Sequence, residues 1–514
     1  MSFSVASAPS TLARRLDWPA GLNKTARLAF EVGSRLVVFV ALFAVVQFAT
    51  PALADNDGFY HMRMAWLMRR EGLKPDFVWL PLTILSSDAY YNHHFLHHVY
   101  LSLFAWGDTP ESLIFGAKLA STLMPALAAL VIWWLLRHQN VRWATLWTIG
   151  LWAISEAFLY RMSMPRAQSA SLLVLALGLH WLLQRRYRLL LPLGFLYVWL
   201  YNAFPLLLVV AGAYAVSAWL TEKRLEGQAL LYPALGLLLG LLVNPYFPQN
   251  LIFIVQHVLP KIGPEATAIS VGNEWYPYST WTLVENSGGA LALFVLGAIG
   301  LGWRGQRIDR ATLAALLLSV AFGFLLFKSR RFIEYFPAFT LIFAALSVGP
   351  VLEVQLNAQA GRRGWLLAGL AGLLALPLWT TLTQAREAMQ SEPPATRYAA
   401  ASQWLQTHST PGSMVFQTDW DDFPRLFFYN QSNLYTVGLD PTYMQLYDGA
   451  LYDEWVAITR GKVRQPGAAI AQRFGAEFVF SDLHHEAFLK RAAEDPGLEE
   501  VYRDDEAVIF RVVR

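Results

Sequence analysis

Along most of this chain the apolar residues come neither in the alternating pattern of a half-buried strand nor in the three-and-four pattern of a surface helix. They come in long, almost charge-free blocks, at 36–54, 112–136, 143–160, 169–184, 189–203, 204–220, 228–244, 288–303, 311–327, 332–350 and 364–383. Blocks of this length match the roughly 20 residues needed to cross a hydrocarbon core of about 30 Å, and they predict about eleven membrane-spanning helices. The blocks at 189–203 and 204–220 meet in "FLYVWLYNAFPLLLVV", where only Asn202 and Pro205 interrupt the run. One bent helix there, in place of two, would reverse the side of everything downstream.

The polar segments between the blocks give an orientation. With a cytoplasmic N-terminus, Arg137 and Arg142, "QRRYR" at 184–188, "TEKR" at 221–224, "RGQRIDR" at 304–310, and Arg362 with Arg363 fall on one side, the positive-inside arrangement. The other side receives two long loops, 55–110 and 245–287, a short turn near 161–168, "KSRR" at 328–331, and everything after about residue 384. The first 35 residues carry Arg14, Arg15, Lys24, Arg27 and Arg35 before the long apolar block, with no convincing small-residue cleavage site, so the first helix is expected to be retained. The expected organisation is a cytoplasmic segment 1–35, a membrane domain 36–390 and an extracytoplasmic domain 391–514, in a multi-pass protein of a bacterial-type cytoplasmic membrane.

The tail is a different kind of sequence. After the Pro-Pro break and amphipathic run of "SEPPATRYAAASQWLQ" come strand-like "SMVFQT", "NLYTVG", "AEFVFS" and "EAVIFRVV", separated by helical "YDEWVAITRG" and "PGAAIAQRFG". This predicts a small α/β domain. Composition agrees with the membrane reading: 55% of residues are hydrophobic, only 15% are charged, and the mean hydropathy is +0.35. The net charge of +3 is spread over short loops and not over one soluble face, which argues against a nucleic-acid partner. The absence of cysteine excludes disulfides, thiolate metal sites and a cysteine nucleophile.

Candidate chemistry lies where polar residues interrupt this pattern. In "ADNDGFYHMRMAW", Asp55 and Asp57 follow a block without any charge. Two carboxylates at this spacing either share a divalent cation or cap the helix that begins near Gly58. The same outer loop holds five of the 11 histidines, namely His61, His93, His94, His97 and His98. The last four form two i, i+4 pairs on a predicted helix, a spacing that serves zinc or an interfacial helix with one or two histidines facing a cleft. Lys328, Arg330 and Arg331 stand on the side where cations are scarce. They are candidates for an anionic lipid headgroup or lipid-linked phosphate, or for snorkelling with Glu334 as counter-ion. Arg161 and Arg166 in "LYRMSMPRAQ" would add to an outer cationic pocket. Glu274 sits among aromatics, as in a carbohydrate cleft or an interfacial belt. Asp419, Asp421 and Asp422 surround Trp420, either as an acidic surface turn or as an acceptor-contacting motif.

"NDGFYHMRMA" resembles the first outer-loop motif of the GT-C membrane glycosyltransferases, in particular the catalytic subunit of oligosaccharyltransferases. "AYYNHHFLHH" resembles a Tyr-Tyr-Asp-His stretch of lipid-linked sugar transferases of that fold, with Asn92 in place of Asp. "DWDDFPRLFFYNQSNLYTVG" is similar to the tryptophan–aspartate segment of oligosaccharyltransferases, with a single Trp420 before the acid. Glu274 falls near that family's Ser/Thr-x-x-Glu motif, one residue too far from Ser270. The family's second acidic pair, expected around "RMSMPRAQ", is absent, and Glu156 is the nearest acid.

The resemblance implies a GT-C fold and an extracytoplasmic transferase that moves a sugar or glycan from a polyprenyl-phosphate or polyprenyl-pyrophosphate donor to a glycan, lipid or protein acceptor, in contact with membrane lipids. Asp57, Glu274 and His61 are then the candidate catalytic residues. Arg330, Arg331, Lys328, Arg166, His93, His94, Trp420 and Asp421 are the candidate substrate-binding residues. Asp57, Asp55 and Glu274 are the candidate ligands of a divalent metal such as Mg or Mn. The missing acidic pair keeps a metal-independent monosaccharide transferase open, and a transporter or non-catalytic subunit handling lipid-linked glycans is the rival from outside enzymes.

Overall fold

A computed structural model of the chain describes residues 24–86, 88–258, 272–305, 307–358 and 363–513. Arg14, Arg15, Ser270 and Arg362, named above, lie outside these residues.

Most of each apolar block falls on helix. Among the described residues five helices are long and apolar enough to cross a membrane: Thr25–Gln47, Pro110–His138, Thr280–Arg304, Arg310–Lys328 and Phe336–Ala358. Shorter apolar helices cover Ala144–Ala153, Tyr187–Leu200, Leu206–Glu222 and Gly227–Leu242, and the last block lies in the helix Arg363–Gln390. The chain is thus a polytopic helical membrane protein. The ambiguous pair at 189–203 and 204–220 is two helices, because Tyr201 takes an extended conformation (φ −168°, ψ 142°) and ends the first before Pro205 opens the second.

The block at 143–160 departs from the expected single span. Its helix stops at Ala153, and Ser155 turns extended, its hydroxyl accepting from the Phe158 amide to cap a new helix, Glu156–Ser163. That helix and the next, Gln168–Leu183, meet at 106° across the turn containing Pro165 and Arg166. The cap is a single hydroxyl inside an apolar run, too small a signal for the hydropathy pattern to register. Non-helical backbone at this depth is tolerated where it lines a cavity, and both breaks, at 164–167 and 201–205, do so.

Small residues let the helices approach. A Cβ on Gly236 would lie 2.2 Å from the Leu191 carbonyl oxygen, so the helices Leu190–Leu200 and Gly227–Leu242 touch backbone to backbone.

The C-terminal domain is a five-stranded sheet of β1 (Met414–Gln417), β2 (Leu434–Tyr435), β3 (Phe478–Asp482), β4 (Leu498–Arg503) and β5 (Ala507–Val512), in the order β2-β1-β3-β5-β4. β2, β1 and β3 run parallel, while β5 pairs antiparallel with β3 and β4. The strand the sequence pattern misses is β4, an edge strand whose Glu499 and Glu500 are exposed; charge on an edge blocks further pairing and hides the strand from a hydropathy reading.

The segment after the first helix and this domain share one core. Tyr60, Phe77, Trp79 and Tyr90 pack with Phe423, Phe427 and Tyr435, and the Tyr435 amide donates to the Trp79 carbonyl at 2.9 Å. The aromatic residues of the loop therefore fix the domain over the start of the helix Asp57–Glu71.

Gly236→Val should lower the midpoint of thermal unfolding in detergent, since forcing side-chain volume into a close backbone contact costs about 1–3 kcal/mol. Gly212→Ala, at a position where a Cβ meets nothing within 4 Å, should leave it unchanged.

Candidate active site

Neither aspartate caps the helix Asp57–Glu71. Asn56 is its N-cap residue and makes no side-chain cap bond, and Asp55 sits before it at φ 73°, a left-handed conformation that Asp tolerates better than most residues. The capping alternative is overturned. Both carboxylates instead face a cavity of about 420 Å³ bounded by the two helix breaks, the 272–275 segment, the Arg330–Glu334 turn and the C-terminal domain.

Asp55, Asp57, His61, His93, His94, Arg166, Glu274, Arg331, Trp420 and Asp421 all line this cavity. Among the predicted site residues, Lys328 and Arg330 do not. Arg330 folds outward over Tyr278 and donates to the carbonyls of Tyr276 and Pro277, while Lys328 lies on the exposed end of its helix. The 3-10 turn at Arg330–Glu334 separates the two arginines: Arg330 braces the 276–278 segment, and Arg331 enters the cavity.

The carboxylates are held by guanidinium groups. Arg166 reaches Asp55 at 3.1 Å, Asp57 at 3.2 Å and Glu274 at 3.6 Å. Glu274 also pairs with Arg331 at 3.0 Å and Arg161 at 2.9 Å. Arg161 is shared with buried Glu334, and Arg331 donates to the Tyr201 hydroxyl and lies 4.9 Å from the Trp275 ring centre. Burial alone would raise Glu274, but Arg331, Arg166 and Arg161 hold it well below the usual carboxylate range. Burial pushes Asp57 up to about 8; Arg166 pulls the other way, and the charges of Asp55, Asp421 and Glu274 add to the rise.

Local sequence explains the placement of Arg166. A Cβ on Gly58 would lie 2.2 Å from Pro165 Cγ, so only glycine lets the 164–166 turn approach the first turn of the Asp57 helix. His97 donates from Nε2 to the Pro165 carbonyl at 3.2 Å and fixes the turn from the other side. The histidines are thus a packed cluster and not two ligand pairs on one helix. That helix begins only at Phe95, His61 Nδ1 lies 2.8 Å from His98 Nε2, and His94 stacks on Tyr201. Burial lowers His61, His94 and His98 well below the ordinary histidine range and His97 to about 4, which favours the neutral form of these four.

The C-terminal domain completes the site. Asn56 donates to both the backbone and the carboxylate of Asp421 at 3.1 Å, and Arg425 donates to Asn56 Oδ1 at 2.6 Å. Burial, with the nearby Asp55 and Asp419, raises Asp421 to about 6. Asp422 is buried beneath the turn, and of the three acids only Asp421 reaches the cavity. Tyr201, Trp275, Tyr335 and Tyr443 also line it and have no signal in the sequence beyond aromatic content; Tyr201 could have been found as the residue that must leave the helix before Asn202 and Pro205.

The predicted metal ligands Asp55, Asp57 and Glu274 are brought together, but around the Arg166 guanidinium. Among the described residues no group of three or more His, Asp or Glu side chains is disposed to hold a metal ion. The arrangement found does not fit a divalent cation.

No protein-family model and no curated protein matches the sequence. Solved structures do match in fold. The archaeal oligosaccharyltransferase AglB from Archaeoglobus fulgidus, in complex with an inhibitory peptide and a dolichol-phosphate, is 15% identical with a TM-score of 0.66, over 91% of this chain and 71% of that one. The oligosaccharyltransferase of the same organism in complex with Zn and sulfate is 14% identical, with a TM-score of 0.62 over 93% and 73%. ArnT from Cupriavidus metallidurans, bound to undecaprenyl phosphate, is 16% identical, with a TM-score of 0.57 over 95% and 98%. The chain has the GT-C glycosyltransferase fold.

Asn56→Ala removes a donor to Asp421 and the acceptor of Arg425 together. Each buried hydrogen bond to a charged group is worth about 1.5–3 kcal/mol. Hydrogen–deuterium exchange should therefore accelerate at 419–425 and not in β1 or β3. Unchanged exchange at 419–425 would mean that Asn56 does not hold the domain in place.

Proposed function

We propose that this chain is a membrane glycosyltransferase that moves a sugar or glycan from a polyprenyl-phosphate or polyprenyl-pyrophosphate carrier to an acceptor on the extracytoplasmic side. The observation that carries the reading is the convergence of the acid Asp57 with Arg331 and Arg166, backed by Arg161, in one cavity at the ends of apolar helices. The dolichol-phosphate in the AglB complex and the undecaprenyl phosphate in the ArnT complex support a lipid-linked phosphate as the ligand class.

In this reading the N-terminus is cytoplasmic, 36–390 form the membrane domain, and 391–514 lie outside, as the positive-inside pattern favours. The carrier lipid slides laterally to the cavity and presents its phosphate to Arg331. Asp57 takes the proton of the acceptor nucleophile as that atom bonds to the anomeric carbon. The carbon–oxygen bond to phosphate breaks, and the leaving oxygen keeps the electron pair. Arg331, cationic in a low-dielectric wall, stabilises the charge that grows on that oxygen. Glu274 keeps the arginines charged and oriented, His61 borders Asp57 as a neutral neighbour, and Trp420 and Asp421 offer the acceptor a polar and aromatic contact on the domain side.

Consumption of polyprenyl-linked donor from a mixed lipid extract by purified protein tests this directly. Asp57→Asn should lower the rate by roughly a hundred- to ten-thousandfold, the usual contribution of a positioned base. Arg331→Met should lower it by roughly a hundred- to a thousandfold, as loss of one donor to a developing anion does. An Asp57→Asn variant as fast as wild type would contradict the assignment. Because the base form exists above the pKa of Asp57, kcat/KM should rise with pH and level off above about 8, and Asp57→Asn should flatten that rise.

A further inference from the structure

Three carboxylates around one cavity invite a metal ion, yet the space between them is taken. Arg166 places one terminal nitrogen on Asp55 and the other on Asp57 and Glu274, at 3.1 to 3.6 Å. Both oxygens of Glu274 are engaged, Oε1 by Arg331 and Arg166 and Oε2 by Arg161. Two neighbouring histidines each have one ring nitrogen taken, His61 Nδ1 by His98 Nε2 and His97 Nε2 by the Pro165 carbonyl.

A divalent ion needs several oxygens converging at about 2.0–2.6 Å. It would also add two positive charges beside three guanidinium groups. A guanidinium offers a single delocalised charge and a rigid fork of donors, which satisfies several carboxylates side by side without drawing them onto one point.

Nor is Arg166 a swinging surface side chain. Its backbone sits in a turn seated against Gly58, bonded by His97 at Pro165 and closed by the Arg166 amide donating to the Met164 carbonyl at 2.8 Å. Asp55 is turned toward it in a left-handed conformation at φ 73°.

We infer that Arg166 is a built-in cation standing in the place of a divalent metal, so that this chain organises Asp55, Asp57 and Glu274 and binds a lipid-linked phosphate without any ion. This deepens the proposed transfer site and rests on it for its consequence. The occupancy of the acid cluster is independent of it. Arg166 is a positioning residue here: it orients the carboxylates, and Arg331 faces the phosphate.

The test uses the full-length protein in detergent, stripped with EDTA. Mn2+ binding is followed by electron paramagnetic resonance, and undecaprenyl phosphate binding by tryptophan fluorescence. Wild type is expected to bind no stoichiometric Mn2+ at millimolar concentration, and its affinity for undecaprenyl phosphate should be the same with EDTA as with Mn2+. Arg166→Met and Arg166→Gln, two replacements of different polarity so that one misfolded variant does not end the test, should each gain one Mn2+ site that a further Asp57→Asn removes. Stoichiometric Mn2+ in wild type that Asp57→Asn abolishes, a loss of lipid affinity of about tenfold or more on adding EDTA, or folded Arg166 variants that gain no ion would each overturn the inference. Wild type that binds neither Mn2+ nor undecaprenyl phosphate, with ion sites gained by the Arg166 variants, would uphold Arg166 as the cation of the acid cluster and overturn ion-free lipid binding together with the transfer reading.

Discussion

A buried charge near a membrane has to be answered by another charge, and the cavity of this protein is organised by that requirement. Arg161, Arg166 and Arg331 answer Asp55, Asp57, Glu274 and Glu334 in one continuous network. Removing one partner from such a network leaves the other uncompensated, which is why breaking a buried pair is far more damaging than its net stabilisation suggests. The break at 164–167, seated against Gly58, and the Arg330–Glu334 turn deliver Arg166 and Arg331 to this one place, and the break at 201–205 delivers Tyr201.

Soluble and membrane parts meet at the same point. The loop aromatics Tyr60, Phe77 and Trp79 share a core with the sheet domain, and Asn56, the residue before Asp57, is bonded to Asp421 and Arg425. An acceptor entering between Trp420 and the membrane helices would thus meet Asp57 on a rigid wall and not on a loop free to drift. Preorganisation of this kind is what makes electrostatic stabilisation of a transition state effective.

Much of this was legible in the sequence. The apolar blocks located the helices because the bilayer demands long uncharged runs, and the site residues stood out because they break those runs. The break at Ser155 was hidden, since one capping hydroxyl hardly changes the hydropathy of its window. Arg330 and Arg331 could not be told apart because a 3-10 turn decides which enters the cavity. The spacing of Asp55 and Asp57 favours caps over ligands, but in the structure Asn56 takes the cap position and Arg166 fills the space between the two carboxylates. The role of Gly58 depends on Pro165, more than a hundred positions away, and no local pattern carries that contact.

The account stands on a phosphate-bearing lipid reaching Arg331. A cryo-electron microscopy structure of the protein in nanodiscs with undecaprenyl phosphate is the most direct measurement. The account predicts phosphate density within hydrogen-bond reach of Arg331, between Asp57 and Trp275, with the prenyl chain leaving along the apolar helices. Phosphate bound only at Lys328 on the exposed helix end, with none in the cavity, would contradict it.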